Sequence, residues 1–235
     1  SVSVLVLNAK NEIVNTIKGS NWPGINRVWW DLRHEEFVFP RLRNKPKGKD
    51  WVMVDSTGTR NLFIYDLDIG PGMTPVMVPP GNYTIVLKVN GKEYKQSLSV
   101  VKDPNTKATE GDIQKQYVQG LNLFGSVNTT LKLIDEMEKL RVQLIALSAD
   151  KKKGKGALAL EEKVYQLEGK LFDIHQTGAR MDIFRNPAQV LERFLAMGKE
   201  GIVSSADAPP TDQQLEVYDL TLKELNAIQS SFELL

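Results

Sequence analysis

The feature that most constrains this chain is a change of character near residue 103. Before it the sequence is rich in Val, Trp, Tyr, Pro and Gly and holds all four tryptophans; after it Leu, Glu, Lys, Gln and Ala dominate. Aromatic and β-branched residues fit pleated sheets, whereas long unbranched side chains favour helices. Strands are expected first and helices second, in two domains, 1–104 and 105–235.

In the first part, Gly24-Ile25-Asn26-Arg27-Val28-Trp29-Trp30-Asp31-Leu32-Arg33 reads as the central strand. Period-2 alternation sets Val28, Trp30 and Leu32 on one face and Arg27, Trp29 and Asp31 on the other. A mid-strand indole such as Trp30 can seal a sandwich core. Ser1 to Leu7 and Ile13 to Ile17 read as an opening hairpin around the turn Asn8 to Glu12. Tyr83 to Val89 and Tyr94 to Val101 read as a second hairpin, with Leu98 and Val100 inward. The Asn90-Gly91 pair between them has the signature of a two-residue type I′ turn. Tyr83, just after Pro80-Gly81, is placed to bond back to nearby backbone as a tyrosine corner. Residues 34–80 form a long insertion with two candidate strands, Trp51 to Val54 and Leu62 to Leu67.

After Lys102-Asp103-Pro104, apolar positions 113, 117, 121, 124, 127, 131, 134, 137, 140/141, 144 and 147 alternate threes and fours, the mark of one long amphipathic helix. A second seam runs through Leu160, Val164, Leu167, Leu171, Ile174, Gly178 and Met181. Asn186 before Pro187 reads as an N-cap for a third stripe, Val190, Leu191, Phe194, Leu195 and Met197. Thr211-Asp212-Gln213-Gln214 reads as a capping box opening a fourth helix, with Leu215, Tyr218, Leu222, Leu225 and Phe232 inward. The expected fold class is an immunoglobulin-like antiparallel β-sandwich followed by an antiparallel four-helix bundle.

Thirty Lys and Arg against twenty-nine Asp and Glu leave a net charge of +1, so no overall field draws in nucleic acid. The basic run Lys151 to Lys155 reads as a solvated loop. With no cysteine, disulfides and thiolate chemistry are excluded. No apolar run approaches a membrane span, so no membrane insertion is expected. The chain opens inside a strand without an initiator methionine, which reads as a fragment of a longer protein.

Candidate chemistry is sparse. His34-Glu35-Glu36 combines a base with two carboxylates, but neighbours on an extended chain point to opposite faces and do not converge on a substrate. Asp66 and Asp68 share a face, without a third acidic ligand nearby to make a calcium site. His175 reads as a boundary residue beside the second helical seam. Asn82 and Asn128 sit in glycosylation sequons, a pattern common by chance. No catalytic residue, metal site or cofactor is expected. Trp22, Trp29 and Trp51 are candidate contacts for a ligand or partner; the more economical reading packs them between insertion and sandwich.

Taken in order, Gly24-x-Asn26-Arg27-x-x-Trp30-Asp31-Leu32-Arg33, Gly70-Pro71, Val78-Pro79-Pro80-Gly81-x-Tyr83-Thr84, Val89-x-Gly91-Lys92-x-Tyr94 and Val101-x-Asp103-Pro104 resemble the carboxy-terminal region of bacterial sortilin-type, BNR-repeat exported proteins. Ser205 to Thr211 adds to the likeness in the helical part. In that family a β-propeller precedes a small immunoglobulin-like domain, similar to that of the flagellar hook-scaffold protein, and a helical segment. The resemblance implies an extracytoplasmic setting: periplasm, cell surface or secreted. It also implies a non-catalytic accessory role that braces the propeller and docks proteins, with envelope proteins or glycans as further partners. Any glycan-active centre would then lie in the propeller, and a carbohydrate-binding module on the exposed aromatics is the alternative.

Overall fold

The structure, a computed structural model, describes residues 2–62, 75–203 and 206–235. It is a mixed α and β fold. The strands are β1 (Val2–Leu7), β2 (Ile13–Gly19), β3 (Arg41–Leu42), β4 (Arg60–Asn61), β5 (Gly81–Val89) and β6 (Lys92–Val100). The helices are α1 (Glu110–Leu147), α2 (Gly154–Leu171), α3 (Val190–Met197) and α4 (Asp212–Glu233). By contacts the chain divides into two compact units whose segments alternate along the sequence. The first holds the described residues of 2–37, 75–121 and 202–210; the second holds those of 38–62, 122–201 and 211–235. Strands therefore do precede helices, but the contact units do not divide at residue 104.

The first unit is built on one antiparallel sheet of order β2-β1-β5-β6. The opening hairpin turns where expected: Asn11 takes φ 61°, and Asn8 Oδ1 accepts the backbone N–H of Lys10 and Glu12, each at 2.9 Å. The second hairpin also forms as read, with Val89 opposite Lys92 and Asn90 and Gly91 at φ 50° and 75°, the backbone a type I′ turn requires. Register places Val4, Val6, Ile85 and Tyr83 on one face, and a core of Val6, Val14, Val78 and Tyr83 forms there. Tyr83 Oη donates to the Pro79 carbonyl at 2.7 Å, closing a tyrosine corner. Burial holds that phenol protonated up to a pKa of about 12. Tyr83→Phe is expected to cost about 1 kcal/mol, the usual net worth of such a bond, read as a shift in urea midpoint at unchanged m-value. An unchanged midpoint would remove the corner from the list of stabilising contacts.

Several expectations change. Residues 20–32 are not a strand. Gly24 at φ 102° and Leu32 at φ 61° interrupt the extended backbone, and Arg33 makes only an isolated bridge to Met77. Side chains take over from a ladder: Asn26 Nδ2 donates to the carbonyls of Trp22 and Gly24, and Trp30 Nε1 donates to that of Arg33. Trp30 does pack on the core with Leu32, edge-on to Tyr83 at 5.6 Å, but it is half-buried on one face of a single sheet. The expected sandwich is met to the extent of that one layer. Trp51 to Val54 is turn and coil. Instead, the ladder among the described residues of the insertion pairs Arg41 with Asn61 and Leu42 with Arg60. Residues 63–67 of the other candidate strand, with Asp66 and Asp68, lie outside the described residues. β6 is an edge strand, and its Leu98 is exposed rather than inward.

In the second unit, α3 and α2 pack on α4. α4 opens on the expected capping box: the Thr211 side chain accepts the N–H of Gln214, and Gln214 Oε1 accepts that of Thr211. Leu215 is exposed there, while Tyr218 and Leu225 are buried. α2 ends at Leu171, so Ile174, Gly178 and Met181 are not on a helix seam; Gly178 sits at φ 89° and Met181 is exposed. α3 starts at Val190 after Gln189, whose backbone N–H is accepted by the Glu192 side chain, and Asn186 instead donates its amide to the Asp173 carboxylate.

Candidate functional site

Two features stand apart from ordinary packing, one in each unit. In the first unit, the loop over residues 20–32 exposes four large apolar side chains: Trp22 at 76%, Ile25 at 102%, Val28 at 37% and Trp29 at 80%. The expectation that Trp22 and Trp29 pack the insertion is overturned, and Trp51 of the second unit is likewise 69% exposed. Burying an indole removes one of the largest apolar areas any side chain offers, so leaving it in water forgoes stabilisation the fold could have had. The loop is nevertheless held. Asn26 ties its first turn, a Ser20 hydroxyl bonds Asn26 Oδ1, and Arg27 lies over the Trp29 ring at 5.7 Å. Pro23 and Trp30 anchor it in opposite ways, by a fixed φ and by packing on the core.

Behind Trp29, a shallow cleft of about 750 Å³ runs between β2 and the chain from Trp30 to Glu36, with Asn15, Lys18, Asp31 and Glu35 at its sides. Asn15 Nδ2 donates to the Arg33 carbonyl at 2.9 Å and so fixes the cleft wall to β2. His34 does not face Glu35 and Glu36 across a substrate. Its Nε2 lies 3.0 Å from Tyr117 Oη, with the rings tilted against each other at 5.7 Å. Burial lowers the imidazole pKa against the pull of Glu35, and burial together with Glu12 raises that of the Tyr117 phenol. Both shifts favour the neutral forms, which suits a structural hydrogen bond better than proton transfer. A second cavity of about 240 Å³, lined by Leu32, Val78, Ile113 and Val203 together with Lys102 and Asp207, falls below the usual size of a small-molecule site.

The second unit holds a buried ionic cluster. Arg141 of α1 is fully buried, and its Nε donates to Glu161 at 2.9 Å and its Nη1 to Glu168 at 2.7 Å, with Glu138 at 3.5 Å. Glu138 Oε2 accepts the backbone N–H groups of Arg43 and Asn44, pinning the insertion to α1. Lys47 bridges Glu161 and Glu162 and lies 4.0 Å from the centre of the Tyr165 ring. The buried Arg60 donates to the carbonyls of Asn44 and Gln176, both at 3.2 Å. Glu168 Oε1 is buried without a donor. Burial, and then the neighbouring Glu138, push this carboxyl well above the usual range against the pull of Arg141. A proton on Glu168 gives the orphaned oxygen a bond to make toward Glu138. The arrangement neutralises itself, and its centre at Arg141, Glu138, Glu161 and Glu168 is buried while Lys47 and Glu162 meet solvent at its rim, so its chemistry is that of a staple.

The remaining sequence candidates do not converge with either feature. His175 is exposed beyond the end of α2, edge-on to Tyr165 at 6.4 Å, and its carbonyl accepts Lys49 Nζ. Asn82 lies on β5 and Asn128 on α1, both exposed. Lys151 to Lys153 are solvated between α1 and α2, and Lys155 is in the first turn of α2. Among the described residues, no group of three or more His, Asp or Glu side chains is arranged to hold a metal ion. Nor is any helix among them long and apolar enough to cross a membrane.

No protein-family model, no curated protein and no solved structure matches the chain. The site is therefore read from its own geometry. Sequence reasoning named Trp22, Trp29 and Trp51 but missed Ile25 and Val28 as partners of the first two, because a strand reading had turned Val28 inward. It missed the ionic cluster for a different reason: the α2 seam held at Val164 and Leu171, but Leu160 and Leu167 were read inward where the neighbouring Glu161 and Glu168 are the buried ones. The buried face of α2 runs Ala157, Glu161, Val164, Glu168, Leu171, and the carboxylates seven residues apart were the available signal.

Proposed function

We propose that the chain is a non-catalytic docking region of a larger exported β-propeller protein, and that the loop over residues 20–32 is the surface it docks with. In this reading the sheet belongs to an immunoglobulin-like module and the helices to an antiparallel bundle, set in an extracytoplasmic protein. One observation carries it: Trp22, Ile25, Val28 and Trp29 are exposed together on a loop that its own hydrogen bonds keep in shape. Large apolar groups left exposed on one short, held loop favour an interaction site, and tryptophan is among the commonest energetic anchors of protein interfaces. Aliphatic Ile25 and Val28 beside the indoles favour a protein partner over a sugar. The resemblance in sequence order names that partner as the propeller of the same polypeptide.

The test is the triple variant Trp22→Ala/Ile25→Ser/Trp29→Ala in the protein that carries the propeller. Anchors of this kind are worth on the order of 2 kcal/mol each, so the propeller is expected to melt at lower temperature and to separate from this region in solution scattering. If propeller melting and ligand binding match the parent, the bracing role fails.

The exposure of the indoles and the polar cleft behind Trp29 also favour a second reading, a carbohydrate-binding module. Sugars stack their apolar faces on indole, while carboxylates and amides such as Asp31, Glu35 and Asn15 meet their hydroxyls. Glycan-array binding that disappears with alanine at Trp22, Trp29 and Trp51 supports it; binding that survives all three excludes it.

A further inference from the structure

We infer that β6 is a self-association edge: two copies of the chain pair their β6 strands antiparallel, about a two-fold axis through Tyr94, into one continuous sheet. The surface is separate from the 20–32 loop and the inference does not depend on that loop's role. β6 lies at the end of the sheet order, and eight of its nine residues are exposed, so nothing among the described residues covers it. Val89 and Lys92 close a two-residue turn as a hydrogen-bonded pair. Alternation along an antiparallel ladder then directs the even-numbered residues of β6 to β5. The N–H and C=O groups of Glu93, Lys95, Ser97 and Ser99 point outward, with no strand partner among the described residues.

Such an edge pairs with a second copy only in registers that set odd residues against odd ones. A two-fold axis at Lys95 places Lys95 against its own copy and is repelled. An axis at Tyr94 places Glu93 of each copy opposite Lys95 of the other, twice over. It also sets the two Tyr94 rings against each other and Lys92 against Gln96. Charge complementarity thus selects the axis at Tyr94, ahead of an axis at Gln96, which opposes each of these charges only with serine. Glu93 is already held on the strand, 2.9 Å from Lys88 across the hairpin, so less side-chain freedom is lost when the second lysine arrives. Lysines on an edge strand deter indiscriminate pairing. Here they admit the one partner that answers them with carboxylates. Tyr94, 55% exposed, gains an aromatic partner on the same face as Leu87.

Sedimentation velocity of the chain over a concentration series at low salt tests the inference. The parent is expected to dimerise reversibly, and Lys95→Glu and Glu93→Lys are each expected to weaken the dimer by about tenfold or more, since both symmetry-related pairs turn repulsive. An equimolar mixture of the two variants restores association, because each then meets the opposite charge. Lys95→Gln, which removes attraction without adding repulsion, gives an intermediate weakening and serves if a reversal disturbs the hairpin. A parent that stays monomeric throughout overturns the proposal. So does a dimer that Lys95→Glu leaves intact, or a mixture that does not associate.

Discussion

Arg141→Met is expected to destabilise the chain by about 3–5 kcal/mol, the largest single loss available outside the apolar core. The guanidinium is fully buried and is the shared counter-ion of Glu138, Glu161 and Glu168. Methionine fills a similar volume, so the cost is not chiefly a cavity. It is the desolvation of carboxylates left without their cation, at sites where neither water nor Lys47 can replace both of its bonds. Arg141→Lys is expected to recover only part of the loss, because an ammonium cannot present the separate Nε and Nη1 bonds that reach Glu161 and Glu168. Chemical denaturation followed by circular dichroism reads both. A loss for Arg141→Met below about 1 kcal/mol would show that the cluster is solvated, contrary to its geometry. The insertion should respond as well: Glu138 repels its neighbours once Arg141 is gone, and its grip on the amides of Arg43 and Asn44 is one of the ties that hold residues 38–62, beside those of Lys47, Lys49 and Arg60.

How much of this was legible before the structure depends on which physical signal each residue carries. The two hairpins were readable because Asn11 and Asn90-Gly91 tolerate the positive φ that tight turns require, and turn chemistry is local. Tyr83 was readable because Pro80-Gly81 places it at a strand head. α1 and α4 were readable from apolar spacing and from a capping box whose two bonds both form. The 20–32 segment misled because its alternation is real but its backbone is not extended. Leu32 at φ 61° is a tertiary outcome that no propensity announces, and the bonds from Asn26 and the Trp30 indole substitute for a ladder. The ionic cluster was hidden by a convention: charged residues are assigned to the solvated face, and α1 and α2 each turn two of theirs inward. That choice is visible only when Arg141 on one helix is matched with Glu161 and Glu168 on the other. The indoles were misjudged by the same kind of economy, since a chain that folds for itself alone would have buried them.

The pH dependence of stability is expected to carry the mark of Glu168. Its carboxyl binds a proton more tightly in the folded chain than in the unfolded one, because burial and Glu138 both oppose the charge while Arg141 only partly offsets them. The folded state therefore holds more protons across the interval between the ordinary glutamate value, about 4.5, and the raised folded value. Stability falls as pH rises through that interval, at up to about 1.4 kcal/mol per pH unit, and is flat in this respect on either side. The groups facing Glu168 are Glu138 and Arg141 from α1, Arg60 from the insertion and Glu161 two turns earlier on α2. The two guanidiniums stay charged throughout, so the slope follows the proton on Glu168. Glu192, also raised by burial, adds a slope of the same sign, whereas Asp135, held low by Lys139 and Arg43 despite its own burial, adds one of opposite sign. Glu168→Gln separates these contributions. The amide reproduces the protonated acid, keeps an oxygen for Arg141 Nη1 and gives the orphaned position a donor toward Glu138. The variant is therefore expected to match the parent near pH 4, to exceed it increasingly as pH rises, and to leave the slopes from Glu192 and Asp135 in place. Urea midpoints for parent and variant, measured in parallel from pH 4 to pH 8, give the difference curve directly. Two parallel lines would mean that Glu168 is ionised in the folded chain at every pH tested, and that Arg141 outweighs burial and Glu138 together.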